Sequence, residues 1–99
     1  MSELMKLINN ADKLHEFMRI KLEENKHKTL GAHPDDRRGM TITGLKDRVL
    51  EEWEEMTQAM WDAKSPEDVW REAGDVANFI MMLAMKYEEI HTHKKGGAS

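Results

Sequence analysis

Apolar residues recur at helical spacing through most of this chain, interrupted by one long polar stretch and one short one. Over residues 3–25, Leu4, Leu7, Ile8, Ala11, Leu14, Phe17, Met18, Lys21 and Leu22 make a stripe that is apolar until its last turn. Asn9, Asn10 and Asp12 suit a helix N-cap, and a fresh start there would divide the stretch into two helices. From Lys26 to Thr41 the period stops. Gly31, Pro34, Asp35-Asp36 and Gly39 mark a loop, which carries Lys26, His27, Lys28, His33, Arg37 and Arg38.

A second helix is predicted from about Ile42 to Ala63, capped by Thr41 or Thr43, with Ile42, Leu45, Val49, Trp53, Met56 and Met60 as its core stripe. Ser65-Pro66-Glu67-Asp68 then starts a third: a capping serine, proline at the first helical position and acids in the first turn. This helix runs to about His91, with Val69, Val76, Ile80, Leu83 and Tyr87 facing the core. So short a link predicts antiparallel packing of the last two helices. The expected fold class is all-α, an antiparallel bundle of three to four helices. It forms a single domain over residues 1–95, with 96–99 as a flexible tail.

Composition narrows the function classes. The 99 residues lie near the lower end of what buries an adequate core alone. Fifteen basic against nineteen acidic residues give a net charge of −4, which argues against a nucleic-acid surface held by charge. The absence of cysteine excludes a disulfide framework and a thiolate zinc site. Asp12, Lys13, His15, Glu16 and Arg19 make the first helix amphipathic, unlike a secretion signal or membrane span, so a cytoplasmic protein without a membrane partner is the expectation.

Two acidic clusters change the picture. Glu51-Glu52-x-x-Glu55 lies on the second helix and Glu72-x-x-Asp75 on the third, and an i, i+3 pair projects from one side of a helix. At about 100° per residue, Glu52 lies roughly 60° and Glu55 roughly 120° from the centre of their stripe. Glu72 and Asp75 lie at matching offsets of the same sign, whereas Glu51 and Glu54 point away. In an antiparallel pair, equal offsets of equal sign fall on one side, and the axial mismatch is only about 3 Å. Glu52, Glu55, Glu72 and Asp75 are therefore expected to converge. Carboxylates about 5 Å apart repel by roughly 3 kcal/mol at an effective dielectric near 20. A hard divalent cation, which prefers oxygen ligands, would relieve that repulsion. Arg48 and Arg71 leave a partial salt-bridge account open. Glu24-x-x-His27 and Glu88-x-x-His91 have the spacing of di-iron ligands but lie at helix ends, away from the acids, and a di-iron reading fails for want of placed histidines.

The pattern Glu51-Glu52-x-x-Glu55 followed by Glu72-x-x-Asp75 resembles the signature of the MazG-like all-α nucleotide pyrophosphohydrolases, a superfamily that includes dimeric dUTPases and phosphoribosyl-ATP pyrophosphohydrolases. The resemblance spans roughly Lys21 to Tyr87. It is strongest over Glu72-Ala-Gly-Asp75-Val-Ala-Asn78-Phe, which is similar to small stand-alone MazG-like proteins. It implies hydrolysis of a nucleoside triphosphate to monophosphate and pyrophosphate, serving nucleotide-pool housekeeping. It also implies Mg2+ or Mn2+ held by Glu52, Glu55, Glu72 and Asp75.

For that chemistry, Glu52 and Glu55 are the candidates to take a proton from the attacking water. Lys26, Lys28 and Lys86 are candidate phosphate contacts, and Asn78 either recognises base or sugar across a subunit boundary or packs. Trp53 belongs to the core stripe, while Trp61 and Trp70 are read as packing residues on the flank. The third helix also carries Trp70, Ala77, Met81, Met82 and Met85, so it is apolar nearly all round. So small a chain cannot bury every face of it, which predicts a homodimer or homotetramer with this helix inside. An exposed methionine patch for another protein is the competing view. Phosphoribosyl-ATP hydrolysis and a non-catalytic helical module with a structural cation are the alternative functions.

Overall fold

The computed structural model describes residues 2–26 and 40–98, with 93–98 described by backbone alone. Three helices account for nearly all of them: α1 (Glu3–Glu24), α2 (Ile42–Trp61) and α3 (Pro66–Ala98). No strand occurs among the described residues. The loop expected to carry His27, Lys28, His33, Arg37 and Arg38 lies outside the described residues.

Each boundary has a local cause. Ser2 caps α1 by accepting from the Met5 N–H at 3.1 Å, and Thr41 caps α2 by accepting from the Gly44 N–H at 3.0 Å. Ser65 does the same for α3 with the Asp68 N–H at 3.2 Å. α2 ends in a Schellman arrangement: Lys64 N–H donates to Ala59 O and Ala63 N–H to Met60 O. Ala63 accordingly takes the left-handed conformation, at φ 55°. The break considered at Asn9-Asn10 does not occur. α1 is continuous, and the Asn10 side chain donates to Lys6 O at 2.8 Å within the helix instead of capping a new one. α3 continues to Ala98, well past the end expected near His91.

α3 is the shared element, packed against both α1 and α2. Its pairing with α2 is antiparallel, with Arg48 beside Phe79, Glu52 near Asp75 and Glu55 near Glu72 in reversed order. The apolar core is small: Leu45, Met56, Val76 and Phe79. The faces differ from the predicted stripes by a rotation toward the acids. On α2 the buried line is Leu45, Glu52 and Met56, whereas Trp53 and Met60 are exposed. On α3, Ile80 and Tyr87 are exposed, while Gly74 and Asn78 are buried. The reason is that α3 serves two partners on different faces, and one stripe cannot.

α1 docks through a close approach. A Cβ on Gly74 would meet the Phe17 carbonyl carbon and oxygen at 3.0 Å and Met18 N at 3.2 Å, so only glycine permits this backbone contact. Asn78 then donates from Nδ2 to Met18 O at 2.9 Å, Phe17 stacks on Trp70, and Lys13 lies over the Trp70 ring. The N-terminal half of α1 (Leu4, Leu7, Ile8) and the distal part of α3 (Met85, Tyr87, Ile90) remain exposed. The radius of gyration, 15.8 Å, exceeds the roughly 13 Å of a compact chain of this length.

Two substitutions test this account. Gly74→Ala, which gains about 1 kcal/mol of helix propensity in isolation, is expected to destabilise by about 1–3 kcal/mol because α1 must move. Ala63→Gly is expected to stabilise by about 0.5–1 kcal/mol by relieving the left-handed alanine. Urea unfolding followed by circular dichroism reads both, and a stabilising Gly74→Ala would contradict the close approach.

Candidate metal centre

The site forms where α2 and α3 run side by side. The i, i+3 spacing and the antiparallel pairing bring carboxylate oxygens of Glu52, Glu55 and Glu72 to within 4.8 Å of one another. Glu52 is 6% exposed, Glu72 is half-buried and Glu55 is exposed, so the cluster opens toward solvent on the Glu55 side.

Hydrogen bonding leaves the cluster incomplete. Glu52 Oε1 accepts from Arg48 Nη2 at 3.0 Å, and the same arginine pairs with the exposed Glu51. Glu52 Oε2 and Glu72 Oε2 are both buried without a donor. A buried carboxylate oxygen with no partner costs free energy, and two of them cost more. Burial, together with the carboxylates of Glu55 and then Asp75, pushes Glu52 up to about 7 against the pull of Arg48. Glu72 is raised by burial first, then by Asp75 and Glu55, with Lys21 and Arg71 opposing.

This donor set fits a hard divalent cation. Octahedral Mg2+ at about 2.1 Å from its ligands needs oxygens roughly 3–4 Å apart, so small side-chain rotations would close the observed spacing. All three donors are oxygens, and two have unused lone pairs.

Asp75, the fourth expected member, lies beside the other three. Its charge reaches both Glu52 and Glu72, but its Oδ2 is ion-paired with Lys21 of α1 at 3.3 Å. On α3 it lies about 60° from Glu72, toward the Gly74–Asn78 face that α1 occupies. Lys21 is also 3.6 Å from Glu24, which Arg71 holds at 2.6 Å and thereby keeps below its ordinary acidity range.

The predicted substrate contacts are dispersed. Lys26 is exposed and paired with Glu23 at 3.0 Å, and Lys28 lies outside the described residues. Lys86 lies about 16 Å along α3 from Asp75 and pairs with Glu89 at 4.0 Å. Asn78 is buried in the α1–α3 contact, with Nδ2 committed to Met18 O, so packing is its observed role. Trp70 packs on Phe17, and Trp61 is exposed. Lys21 was the residue missed. Its signal was present, since a lysine in the apolar line of α1 after Leu14, Phe17 and Met18 faces a neighbour and not solvent.

No helix among the described residues is long and apolar enough to cross a membrane. Comparison of the chain with family models, curated proteins and solved structures gives no match.

The raised acids make metal-free stability fall with pH. Folded Glu52 keeps its proton up to about 7, while the unfolded chain releases it near 4.5. Between those values the unfolded state binds fewer protons, so stability is lost as pH rises, by roughly 3 kcal/mol for Glu52 alone. Melting in EDTA at pH 5 and pH 8 is expected to show a Tm lower at pH 8 by about 5 °C or more. Saturating Mg2+ should shrink that difference by binding the folded state. A metal-free Tm that rises over the same interval would contradict the crowded, buried arrangement.

Proposed function

We propose that this chain is a metal-dependent nucleoside triphosphate pyrophosphohydrolase of MazG-like type, converting a ribo- or deoxyribonucleoside triphosphate and water to the monophosphate and pyrophosphate. The observation that carries the reading is the three-carboxylate cluster with two buried, donorless oxygens, formed by the two motifs that resemble that superfamily. Glu52, Glu55 and Glu72 would hold the ion, with Asp75 beside them.

Bound Mg2+ or Mn2+ supplies charge neutralisation and orientation for phosphate oxygens. The chain's own groups do the rest. Glu55, the exposed member, is placed to meet water arriving from solvent and to take its proton as it attacks the α-phosphorus. Glu52, fixed by Arg48 and burial, is the rigid member that anchors the cluster. Lys26 and Lys28, which follow α1 in sequence, are the proposed contacts for the departing pyrophosphate. The exposed apolar residues of α1 and α3 are the surface a second copy would cover in a homodimer or homotetramer.

Purified protein incubated with a panel of nucleoside triphosphates and Mg2+ is expected to release monophosphate and pyrophosphate in equal amounts. Glu52→Gln is expected to lower turnover by about 100-fold or more, while raising the metal-free Tm at pH 8, since it removes a charge that burial disfavours. No turnover with any nucleotide, alongside Mg2+-dependent stabilisation, would replace the enzyme with a helical module holding a structural cation. Full activity in Glu52→Gln would place the site elsewhere.

A further inference from the structure

The apolar stripes of α2 and α3 are only half covered within one chain. On α2, measured from the Leu45–Glu52–Met56 line that faces α3, Ile42, Trp53 and Met60 lie roughly 60–80° to one side. Glu55 lies roughly 80° to the other. On α3, Ile80 and Tyr87 lie roughly 80–100° from Phe79, on the side away from Asp75 and Asn78. The two offsets have the same sign, so in an antiparallel pair these five residues share one face of the hairpin. That face is turned away from both the acidic cluster and α1.

The face is large and open. Trp53 and Ile80 each keep 52% of their surface exposed, and Met60, Tyr87 and Ile42 are exposed beside them. From Met60 near the turn to Tyr87 at the far end it runs about 30 Å, the length of α2. It is also nearly free of charge. By the same angular spacing, Lys46 is the one charged side chain of α2 on this flank, and no described Asp, Glu, Lys or Arg of α3 falls there.

Neutrality and core size select the occupant. A strongly acidic or basic partner segment would find no opposite charge on this face, whereas an uncharged face matches its own copy across a twofold axis. Tryptophan, tyrosine and methionine at its middle, with a lysine at the edge, fit the make-up of an interface core and rim. Leu45, Met56, Val76 and Phe79 are the buried apolar residues of the described chain, less than a domain of this size needs to stand alone. A fold that depends on its cover needs an occupant present whenever the chain is present, and a second copy meets that condition.

We propose that the Trp53–Ile80 face of the α2–α3 hairpin is a self-association surface, on which the same face of a second copy packs to give four helices around a shared apolar core. The pairing rests on the homo-oligomer reading above and gives that assembly one face. It leaves the acidic cluster of each copy open to solvent, because the cluster lies on the other side of the hairpin.

Sedimentation and light scattering of the full-length protein at micromolar concentration test this. Wild type is expected at two or four times the 11.5 kDa of one chain. Ile80→Glu, which would bury an unpaired charge, is expected to raise the dissociation constant by about 100-fold or more. Trp53→Ala, which only shortens a side chain, is expected to raise it by about 30-fold or more. This variant decides the matter if Ile80→Glu does not fold. Trp61→Ser, at an exposed tryptophan off this face, should keep the wild-type mass. A monomeric wild type would overturn the pairing and the oligomer reading together. An oligomer indifferent to Trp53→Ala, or one dissociated by Trp61→Ser to the same degree, would overturn the pairing alone. Neither result touches the enzyme reading, which the turnover assay decides.

Discussion

Like charges packed between helices are the constraint around which the rest of this protein is arranged. A helix pair whose interface carried only leucine and methionine would need nothing further. Here Glu52 occupies a core position between Leu45 and Met56, and Glu72 of α3 joins it in the same cluster, each with a buried oxygen that has no hydrogen-bond partner. Repulsion and desolvation both oppose that arrangement, and they act together because burial lowers the local dielectric. The fold offsets part of the cost with Arg48, whose guanidinium bonds Glu52 and lies over the Phe79 ring. The remainder favours a bound cation or a proton, which is why the elevation of Glu52 and the proposed metal site are two consequences of one geometry.

The third helix in space, α1, matters to the site although it supplies no member of the cluster. Glycine at position 74 and the amide of Asn78 bring α1 in at one height and one register. That register delivers a lysine to Asp75 and, one turn on, lets Arg71 take Glu24. A chain too small for a large core thus ties its outer helix down with a backbone contact, polar bonds and stacked rings. The same economy leaves apolar side chains of α1 and α3 uncovered.

Much of this was legible in the sequence. Thr41 and the Ser65-Pro66 start gave the N-terminal boundaries of α2 and α3, because capping is local chemistry. The short connection gave the antiparallel pairing, and the spacing of Glu52, Glu55 and Glu72 then gave their convergence. What periodicity could not supply was the rotation of each helix about its axis. A stripe drawn through Val49, Trp53 and Ile80 assumes one partner per helix, whereas α3 divides its circumference between two. Asp75 falls at that division, so its charge reaches the cluster while its Oδ2 also pairs with Lys21 of α1. Asn78, for which base recognition and packing stood equal, lies on the α1 side. Two local signals carried this information: a solitary glycine within a strong helix, and a lysine at the end of an apolar line. Both become readable once α1 is allowed to pack on α3.

The most direct measurement is an anomalous difference map from crystals grown or soaked with Mn2+. The account requires a strong peak between α2 and α3, in contact with carboxylate oxygens of Glu52, Glu55 and Glu72. A map with no peak there, and with those oxygens turned outward to water in every copy of the chain, would contradict it.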